Sequence, residues 1–303
     1  MKNKLVSVII NCYNSEKYIK ETIQSVISQT YKNWELIFYD NQSTDNSYTI
    51  YKSFKDKRFK YYKSKKFEQL GSARKNALIK AKGDFIAFLD SDDLWEKNKL
   101  KTQLKYFDTN ETGFTISNSV FFNDKKKKPL YPFNKKFRKK VFYELIKNYF
   151  ISFDTVIIKS SFLKKLSHTL DKKFNIIHDM DLLIRLSKIC DMNYAPFALS
   201  KWRMRENSLS FNNFNNIIKE KKIFIKKISK NLNKDLNFYK SKKIFKDVLC
   251  RQEILYFISK KKMIKSFKLV KKLNFNIKNI ILVIIIFLPF KKYIFNNFFN
   301  LRY

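Results

Sequence analysis

The residues best suited to chemistry form an acidic run, Asp90-Ser91-Asp92-Asp93, which directly follows an apolar segment at 85–89. Three carboxylates within four positions repel one another. A divalent cation with a phosphate ligand would relieve that repulsion, because Mg²⁺ and Mn²⁺ prefer oxygen ligands. The alternative is structural, an acidic loop that caps a following helix near 94–96. An isolated Asp-x-Asp pattern is common by chance, so the neighbouring residues have to decide between the two.

Polar residues also follow two other apolar segments that are typical of buried strands. Asn11 and Tyr13 come after the first of these segments, and Asp40 and Asn41 come after the second. The carboxyl ends of neighbouring parallel strands open onto one crevice, so these side chains are expected to converge with the acidic run. Tyr13 could stack on a nucleobase, and Asp40 or Asn41 could hydrogen-bond to its edge.

Arg74 lies at the start of a predicted helix, close to Gly71. A planar guanidinium in that position suits a diphosphate, which it can bind with two parallel hydrogen bonds. Taken singly, Arg74 is more typical of a solvated helix charge, and Tyr13 of a core aromatic, than either is of a nucleotide site. Together with the acidic run, they favour a nucleotide site.

Alternating strands and helices over the first 125 residues are expected to position these side chains. Nearly continuous apolar runs predict buried parallel strands, and segments with a period of 3.6 residues predict helices between them. This alternation predicts an α/β fold whose mostly parallel sheet is flanked by helices. Gly83 is expected to end the helix that begins near Gly71, in a left-handed conformation. Further elements are predicted downstream: a helix near 138–149, strands at 155–158 and 194–199, a helix from Asp179, and lysine-rich helices from 212 onward.

Charge is the most unusual property of the composition. The 303 residues include 64 Lys+Arg and 26 Asp+Glu, a net charge of +38, and half of that excess lies in residues 208–303. Such a field attracts nucleic acid, phosphorylated sugars or an acidic membrane leaflet. Abundant Lys, Asn, Ile and Phe with scarce Gly and Pro also match the composition of an AT-rich genome. This explanation of the charge is favoured over attraction to a membrane or to nucleic acid.

Cysteine and histidine are too few and too scattered for several classes of site. Three cysteines lie far apart without a Cys-x-x-Cys pair, and only two histidines are present. A disulfide framework, a cysteine zinc site and a histidine-rich metal centre are therefore not expected, and a reducing cytoplasm is the default. The first apolar run is too short for a signal peptide.

Four motifs in order resemble glycosyltransferase family 2, the inverting nucleotide-sugar transferases of GT-A fold. They are VSVIINCYNSEKYI (6–19), SVISQTYKNWELIFYDNQSTDNS (25–47), GSARKNAL (71–78) and KGDFIAFLDSDDLW (82–95). The resemblance runs over 6–104 and resumes over 174–210. It implies a GT-A sheet with a helical, basic C-terminal region.

The resemblance implies a role for each matching residue. Asn11 and Tyr13 would lie at the nucleobase, Asp40 with Asn41 would serve the base and ribose, and Arg74 would contact the nucleotide. Asp90 would face the ribose and metal, Asp92 would ligate Mg²⁺ or Mn²⁺, and Asp93 would support them without touching the metal.

The motif FNIIHDMDLLIRL (174–186) is similar to the family segment that carries the catalytic base. It implies that Asp179 is the base, with Asp181 as the second choice; the structural alternative for Asp179 is a helix N-cap. The segment WRMRENSLS (202–210) resembles a part of the family that closes over the site. Three positions depart from the family pattern: Asn41 replaces a second Asp, His178 replaces Glu, and Arg205 replaces His.

The resemblance also implies an organisation and partners. Residues 1–125 would be the nucleotide-sugar half of the GT-A domain, 126–210 the half with acceptor site and catalytic base, and 211–303 a helical, lysine-rich region. The expected partners are a nucleoside-diphosphate sugar and a glycan or lipid-linked acceptor, as in surface polysaccharide, lipo-oligosaccharide or capsule synthesis. The protein would be cytoplasmic and peripheral at the inner face of the membrane.

The apolar run at 280–288 is too short to span a bilayer. It suits an interfacial helix or a core helix equally well. Two other functions are alternatives to glycosyl transfer. A metal-dependent nucleotidyl or phosphoryl transferase would use the same acidic run, and a basic nucleic-acid binder would use the charge alone. No sequence motif here resembles a DNA- or RNA-binding module, so a nucleic-acid partner is not expected.

Overall fold

The computed structural model describes residues 3–123, 127–132, 137, 139–205, 213–232 and 234–273. The chain divides into two compact units. The first comprises Met1–Phe142 and Phe150–Glu206, and the second comprises Tyr143–Tyr149 and Asn207–Tyr303. The run at 280–288 lies outside the described residues.

The first unit begins with four parallel strands, as the apolar runs predict. They are β1 (Val6–Cys12), β2 (Trp34–Asp40), β3 (Phe59–Lys63) and β4 (Phe85–Asp90), in the order β3-β2-β1-β4. The connecting helices are α1 (Ile19–Ile27), α2 (Ser47–Ser53) and α3 (Leu70–Ile79). In the register of β1, Asn11 lies beside Asp90 and Cys12 beside Asp40. The carboxyl ends of β1, β2 and β4 therefore meet at one edge.

The sheet continues with strands from later in the chain: β5 (Leu94–Trp95), β6 (Thr112–Phe122), β7 (Lys127–Pro129), β8 (Ile157–Lys159) and β9 (Asp191–Arg203). Strand β8 joins β4 antiparallel and continues to β6, which pairs in parallel with β9, and β5 lies antiparallel to β9. Three helices accompany these strands in the described residues, α4 (Lys99–Gln103), α6 (Ser160–Leu163) and α7 (His178–Ser187). A further helix, α5 (Phe142–Lys147), belongs to the second unit from Tyr143 onward. The predicted α/β fold is confirmed, with the longest pairings parallel.

Gly83 corrects one prediction. The helix that it was expected to end stops at Ile79, its C-cap Lys80 is right-handed, and Gly83 has no positive φ. A Cβ on Gly83 would lie 2.6 Å from the backbone nitrogen of Ser7. The glycine is needed because its backbone approaches β1, where its N–H donates to the Ser7 hydroxyl at 2.8 Å.

The core between sheet and helices contains one buried lysine. Lys99 is fully buried, and its Nζ donates to Gln103 Oε1 at 2.7 Å and to the Thr155 carbonyl at 3.1 Å. Burial lowers the pKa of its amine to about 7. Gln103 in turn donates to the carbonyl of Thr115 at 3.0 Å, which links α4 to β6.

The second unit is helical and lysine-rich, as predicted. Besides α5, its described helices are α8 (Phe214–Ser229), α9 (Leu236–Ser259) and α10 (Met263–Val270). Asp235 caps α9 by accepting the N–H of Phe238 at 2.9 Å. Among the described helices, none has the length and apolar character needed to cross a bilayer.

Candidate active site

The acidic run forms a turn at the carboxyl end of β4, called here the acidic turn (residues 90–93). Asp90 ends the strand with a half-exposed side chain, Asp92 is mostly buried, and Asp93 is fully buried. Burial, with the charge of Asp90 next, raises the pKa of Asp92 to about 6. Burial and the neighbouring carboxylates raise the pKa of Asp93 well above its ordinary range. The turn therefore groups three carboxyl groups that disfavour one another's ionisation, and the charges of Asp90 and Asp92 are paired with those of Arg74 and Arg205.

The donor set of the acidic turn fits a hard divalent cation. Asp90 offers a half-exposed carboxylate and Asp92 a mostly buried one, whereas Asp93 is fully buried and accepts the N–H of Arg203 at 2.9 Å. Within the described residues, no three His, Cys, Asp or Glu side chains are arranged so that they could hold one metal ion together. A cation here would be held by two carboxylates, and the rest of its coordination would come from a bound ligand and water, as is usual for Mg²⁺ beside phosphates.

Arg74 links the acidic turn to α7. Its guanidinium pairs with the Asp90 carboxylate and donates to Nε2 of His178, and it lies 5.0 Å over the ring of Phe153. The other ring nitrogen of His178, Nδ1, lies 2.8 Å from the carbonyl of Asn175, which can only accept. His178 is therefore neutral with its proton on Nδ1, and burial first and Arg74 second lower its pKa well below the usual value.

Helix α7 begins at His178, so Asp179 lies in its first turn. The N-cap position is Ile177, without a side-chain cap, which excludes the N-cap alternative for Asp179. Asp179 is half-buried. Asp181 is fully buried and paired with Arg185 at 2.6 Å, which in turn donates to the carbonyl of His168. Asp181 thus has a structural role, and Asp179 is the better candidate for a base.

Gly71 lets α3 pack directly against the residues before α7. A Cβ at this position would lie 2.3 Å from the carbonyl oxygen of Phe174 and 3.4 Å from Cβ of His178. The glycine of the GSARKNAL motif therefore brings Arg74 within reach of His178.

The aromatic pair, Tyr13 and Phe67, lies at the end of β1. Their ring centroids are 4.8 Å apart with planes tilted by 60°, and the side chains are 50% and 58% exposed. Two large rings in mutual contact and open to solvent offer a surface on which a nucleobase can stack.

Asn41 holds the loop that carries Phe67. Its Nδ2 donates to the carbonyl of Glu68 at 2.8 Å, and its Oδ1 accepts the N–H of Glu68 at 2.9 Å. The neighbouring Asp40 is buried and accepts from the Ser43 N–H at 2.8 Å and the Tyr61 hydroxyl at 2.7 Å. Asn41 therefore shapes the site through the loop, and Asp40 braces the end of β2.

Asn11 contributes an unsatisfied donor. Its Nδ2 is buried and has no acceptor in the described part of the chain. A buried donor without a partner is costly, and a bound ligand would supply the missing acceptor. It lies next to Asp90 across β1 and β4, where a ligand of the acidic turn would lie.

The structure brings the predicted residues Asn11, Tyr13, Arg74, Asp90 and Asp92 to one edge of the sheet. Sequence reasoning missed Phe67 and the role of Arg203. The only local signal for Phe67 is an aromatic residue within the lysine-rich segment 63–68. Arg203 Nε donates to the Asp92 carbonyl at 2.9 Å, and only the pairing of β9 with β6 and β5 places it there. Residues 206–210 of the closing segment lie outside the described residues.

The first four strands are parallel and carry the acidic turn at their carboxyl edge, and antiparallel pairings extend the sheet. This is the GT-A arrangement of nucleotide-sugar transferases. Residues 7–167 match the family model Glycosyl transferase family 2. Escherichia coli WfgD, named as a UDP-Glc:alpha-D-GlcNAc-diphosphoundecaprenol beta-1,3-glucosyltransferase, is 35% identical over 220 residues, which cover 71% of this chain and 83% of that protein.

Solved structures share the fold. S. aureus TarS 1-349 in complex with UDP-GlcNAc aligns with a TM-score of 0.66 and 20% identity over 89% of this chain and 81% of that chain. The mannosyltransferase PcManGT from Pyrobaculum calidifontis, in complex with GDP-Man and Mn²⁺, aligns with a TM-score of 0.60 and 13% identity over 95% of this chain and 82% of that one. The chain belongs to glycosyl transferase family 2, and it is a glycosyltransferase that moves a sugar from a nucleoside-diphosphate sugar to an acceptor hydroxyl with inversion.

Proposed function

We propose that this glycosyltransferase transfers a hexose from a UDP-sugar to a hydroxyl of a lipid-linked saccharide in the synthesis of a bacterial surface polysaccharide. The convergence of the aromatic pair, Arg74 and the acidic turn at one sheet edge carries the donor half of this proposal. The similarity to WfgD, whose name specifies UDP-glucose and a diphosphoundecaprenol acceptor, supports the choice of donor and acceptor.

Donor binding is assigned along the edge from β2 to β4. The nucleobase would lie against Tyr13 and Phe67, and the ribose and diphosphate would extend toward Arg74 and Asp90. Asn11 would donate its free N–H to the nucleotide. Arg74, which keeps its charge beside neutral His178, would attract the diphosphate and its developing negative charge.

Asp90 and Asp92 would hold Mg²⁺ or Mn²⁺. When bound, such an ion stabilises the negative charge that develops on the leaving nucleoside diphosphate. The protein residues prepare the site for it: Asp93 is held inward by the Arg203 N–H, and Asp92 is held at its carbonyl by the Arg203 side chain.

Asp179 is assigned as the general base. It would accept the proton of the acceptor hydroxyl while that oxygen attacks the anomeric carbon opposite the diphosphate. The bond from the anomeric carbon to the diphosphate oxygen breaks in the same step, and the configuration inverts. The acceptor would approach from the 126–210 side of the domain, on which α7 lies.

The second unit is proposed to hold the protein at an acidic membrane surface. Its helices are rich in lysine and also expose large apolar side chains, among them Tyr239, Ile264 and Phe267. Lysine with exposed apolar residues is the pattern of proteins that bind anionic lipid surfaces. Location at the inner face of the cell membrane follows from that attraction and from a lipid-linked acceptor.

The experiment that tests this function measures transfer from UDP-[¹⁴C]glucose to GlcNAc-diphosphoundecaprenol in detergent with Mn²⁺. Asp179→Asn should lower kcat by about 10²- to 10⁴-fold with unchanged UDP affinity, since a positioned base is worth that much. Asp191→Asn, also a half-buried aspartate, serves as the matched control. Transfer by Asp179→Asn within about threefold of wild type would contradict the assignment of the base.

A further inference from the structure

Arg205 pairs with the carboxylate that is proposed to hold the metal. Its Nη2 lies 2.6 Å from Oδ2 of Asp92, and the Asp92 side chain is 14% exposed. On the other side of the turn Arg74 pairs with Asp90. In this structure, therefore, a guanidinium neutralises each of the two carboxylates.

The end of β9 does not need the Arg205 side chain to stay on the acidic turn. Arg203 already fixes it with three hydrogen bonds: its backbone N–H to Asp93 Oδ1, its Nε to the Asp92 carbonyl, and its Nη2 to Glu21 at 2.8 Å. The Arg205 side chain is thus available to change partners while Arg203 keeps the end of β9 in place.

Arg205 also retains an unused donor. Its Nε–H is buried and has no acceptor within the described residues. The guanidinium lies 5.4 Å over the ring of Tyr18, in the loop that follows β1 and Tyr13. Nε and Nη2 on one edge of a guanidinium form the two-pronged donor that matches a phosphate, and only one prong is now occupied.

We propose that Arg205 has two alternative partners: the Asp92 carboxylate when the site lacks metal, and the donor diphosphate when a metal ion occupies Asp92. This inference rests on the proposed function, because it assumes that Asp90 and Asp92 hold the metal. A cation and a guanidinium compete for the same Asp92 oxygen. Arg205 therefore weakens binding of the metal alone and strengthens binding of the metal with the nucleotide.

The competition predicts effects of opposite sign on two affinities. Arg205→Gln should tighten binding of free Mn²⁺ by about three- to tenfold, because the ion no longer displaces a partly buried ion pair. The same variant should weaken binding of UDP in saturating Mn²⁺ by about tenfold, because a charge-assisted phosphate contact is lost. Arg205→Lys, which keeps the charge but lacks the fork, should bind free Mn²⁺ like wild type and UDP more weakly.

The experiment measures free Mn²⁺ by electron paramagnetic resonance and UDP by isothermal titration calorimetry on the full chain. Lys201→Gln is the charge-matched control: Lys201 lies on β9, four residues before Arg205, and its side chain pairs with Glu96 at 2.8 Å. It should leave both dissociation constants within about twofold, as expected for an exposed charge.

Three results would overturn the inference, and a fourth would overturn the metal site on which it rests. Free Mn²⁺ affinity that is unchanged or weaker in Arg205→Gln overturns the competition, and unchanged UDP affinity overturns the diphosphate partner. Equal tightening of Mn²⁺ binding in Lys201→Gln also overturns the competition, since net charge alone would then explain it. Asp92→Asn separates the inference from its basis: if this variant binds Mn²⁺ as wild type does, it is the proposed metal site that fails.

Discussion

His178 accepts a hydrogen bond from Arg74 and donates one to the carbonyl of Asn175, so a neutral imidazole joins the donor motif of α3 to the first turn of α7. The family pattern has an acid at this position. Because His178 is neutral, Asp90 is the one negatively charged partner of Arg74 among its contacts in the described structure. The proposed diphosphate site is therefore more positive than it would be with an Arg–Glu pair.

This relationship predicts the behaviour of two variants at position 178. His178→Ala should weaken UDP binding by about tenfold, because Arg74 loses the partner that orients it. His178→Gln, which keeps an acceptor for Arg74, should recover most of that loss. Calorimetric titration with UDP and Mn²⁺ measures both. Equal affinities in the Ala variant and wild type would show that His178 does not position Arg74.

Phe67 is predicted to contribute to binding of the nucleobase. Phe67→Ala should weaken UDP binding by about five- to fiftyfold, the usual value of one aromatic–base contact. Binding of pyrophosphate with Mn²⁺ should not change, because pyrophosphate lacks the base. Phe197→Ala, which removes a similarly exposed ring on β9, is the control. If Phe67→Ala weakens pyrophosphate binding equally, the effect comes from the loop and not from stacking.

Metal binding is predicted to depend on the protonation of Asp92. Burial and Asp90 raise its pKa to about 6, and a metal ion binds the deprotonated carboxylate. The Mn²⁺ affinity should be constant above about pH 7 and fall by about tenfold per pH unit below 6, as one proton competes with the ion. Titrations by electron paramagnetic resonance from pH 5 to 8 test this, and a flat profile would contradict it.

Lys99 is predicted to make stability increase with pH. Its pKa is about 7 in the folded chain and 10.5 when exposed, so between these values the unfolded state binds one more proton. The free energy of unfolding therefore rises as pH increases from 7 to 10. Urea unfolding across that range should show a flatter profile for Lys99→Met. Lys101→Met, on the exposed side of α4, should retain the wild-type slope.

Ile264 is predicted to anchor the second unit at lipid surfaces. Its side chain is 74% exposed on α10, and lysines 265 and 268 lie beside it. Ile264→Ser should reduce flotation of the full chain with phosphatidylglycerol vesicles by about threefold, since one exposed aliphatic side chain inserts less apolar area. Ile79→Ser, at a 68% exposed position on α3, should float like wild type. Equal losses would argue against a specific anchor, and binding to neutral vesicles would argue against charge attraction.

Much of the donor half can be predicted from local sequence. The apolar runs of β1 and β4 are contiguous, and the polar residues at their ends follow directly, so their meeting at one edge is a consequence of parallel pairing. The predicted strand at 155–158 is displaced, because residues Phe153–Thr155 form a 3-10 turn and the strand begins at Ile157. A short apolar segment does not reveal where its pairing starts.

The succession of buried strands along the chain, and the acidic, aromatic and basic residues that end them, can be predicted from sequence because these patterns lie within short contiguous segments. Which charged side chains pair with one another depends on the tertiary fold. Arg74 meets His178 because Gly71 permits close packing of α3, and Arg205 meets Asp92 because β9 pairs with β5 just beyond the acidic turn. Such contacts join residues far apart in the chain. Packing determines which of the many basic side chains meets a given carboxylate.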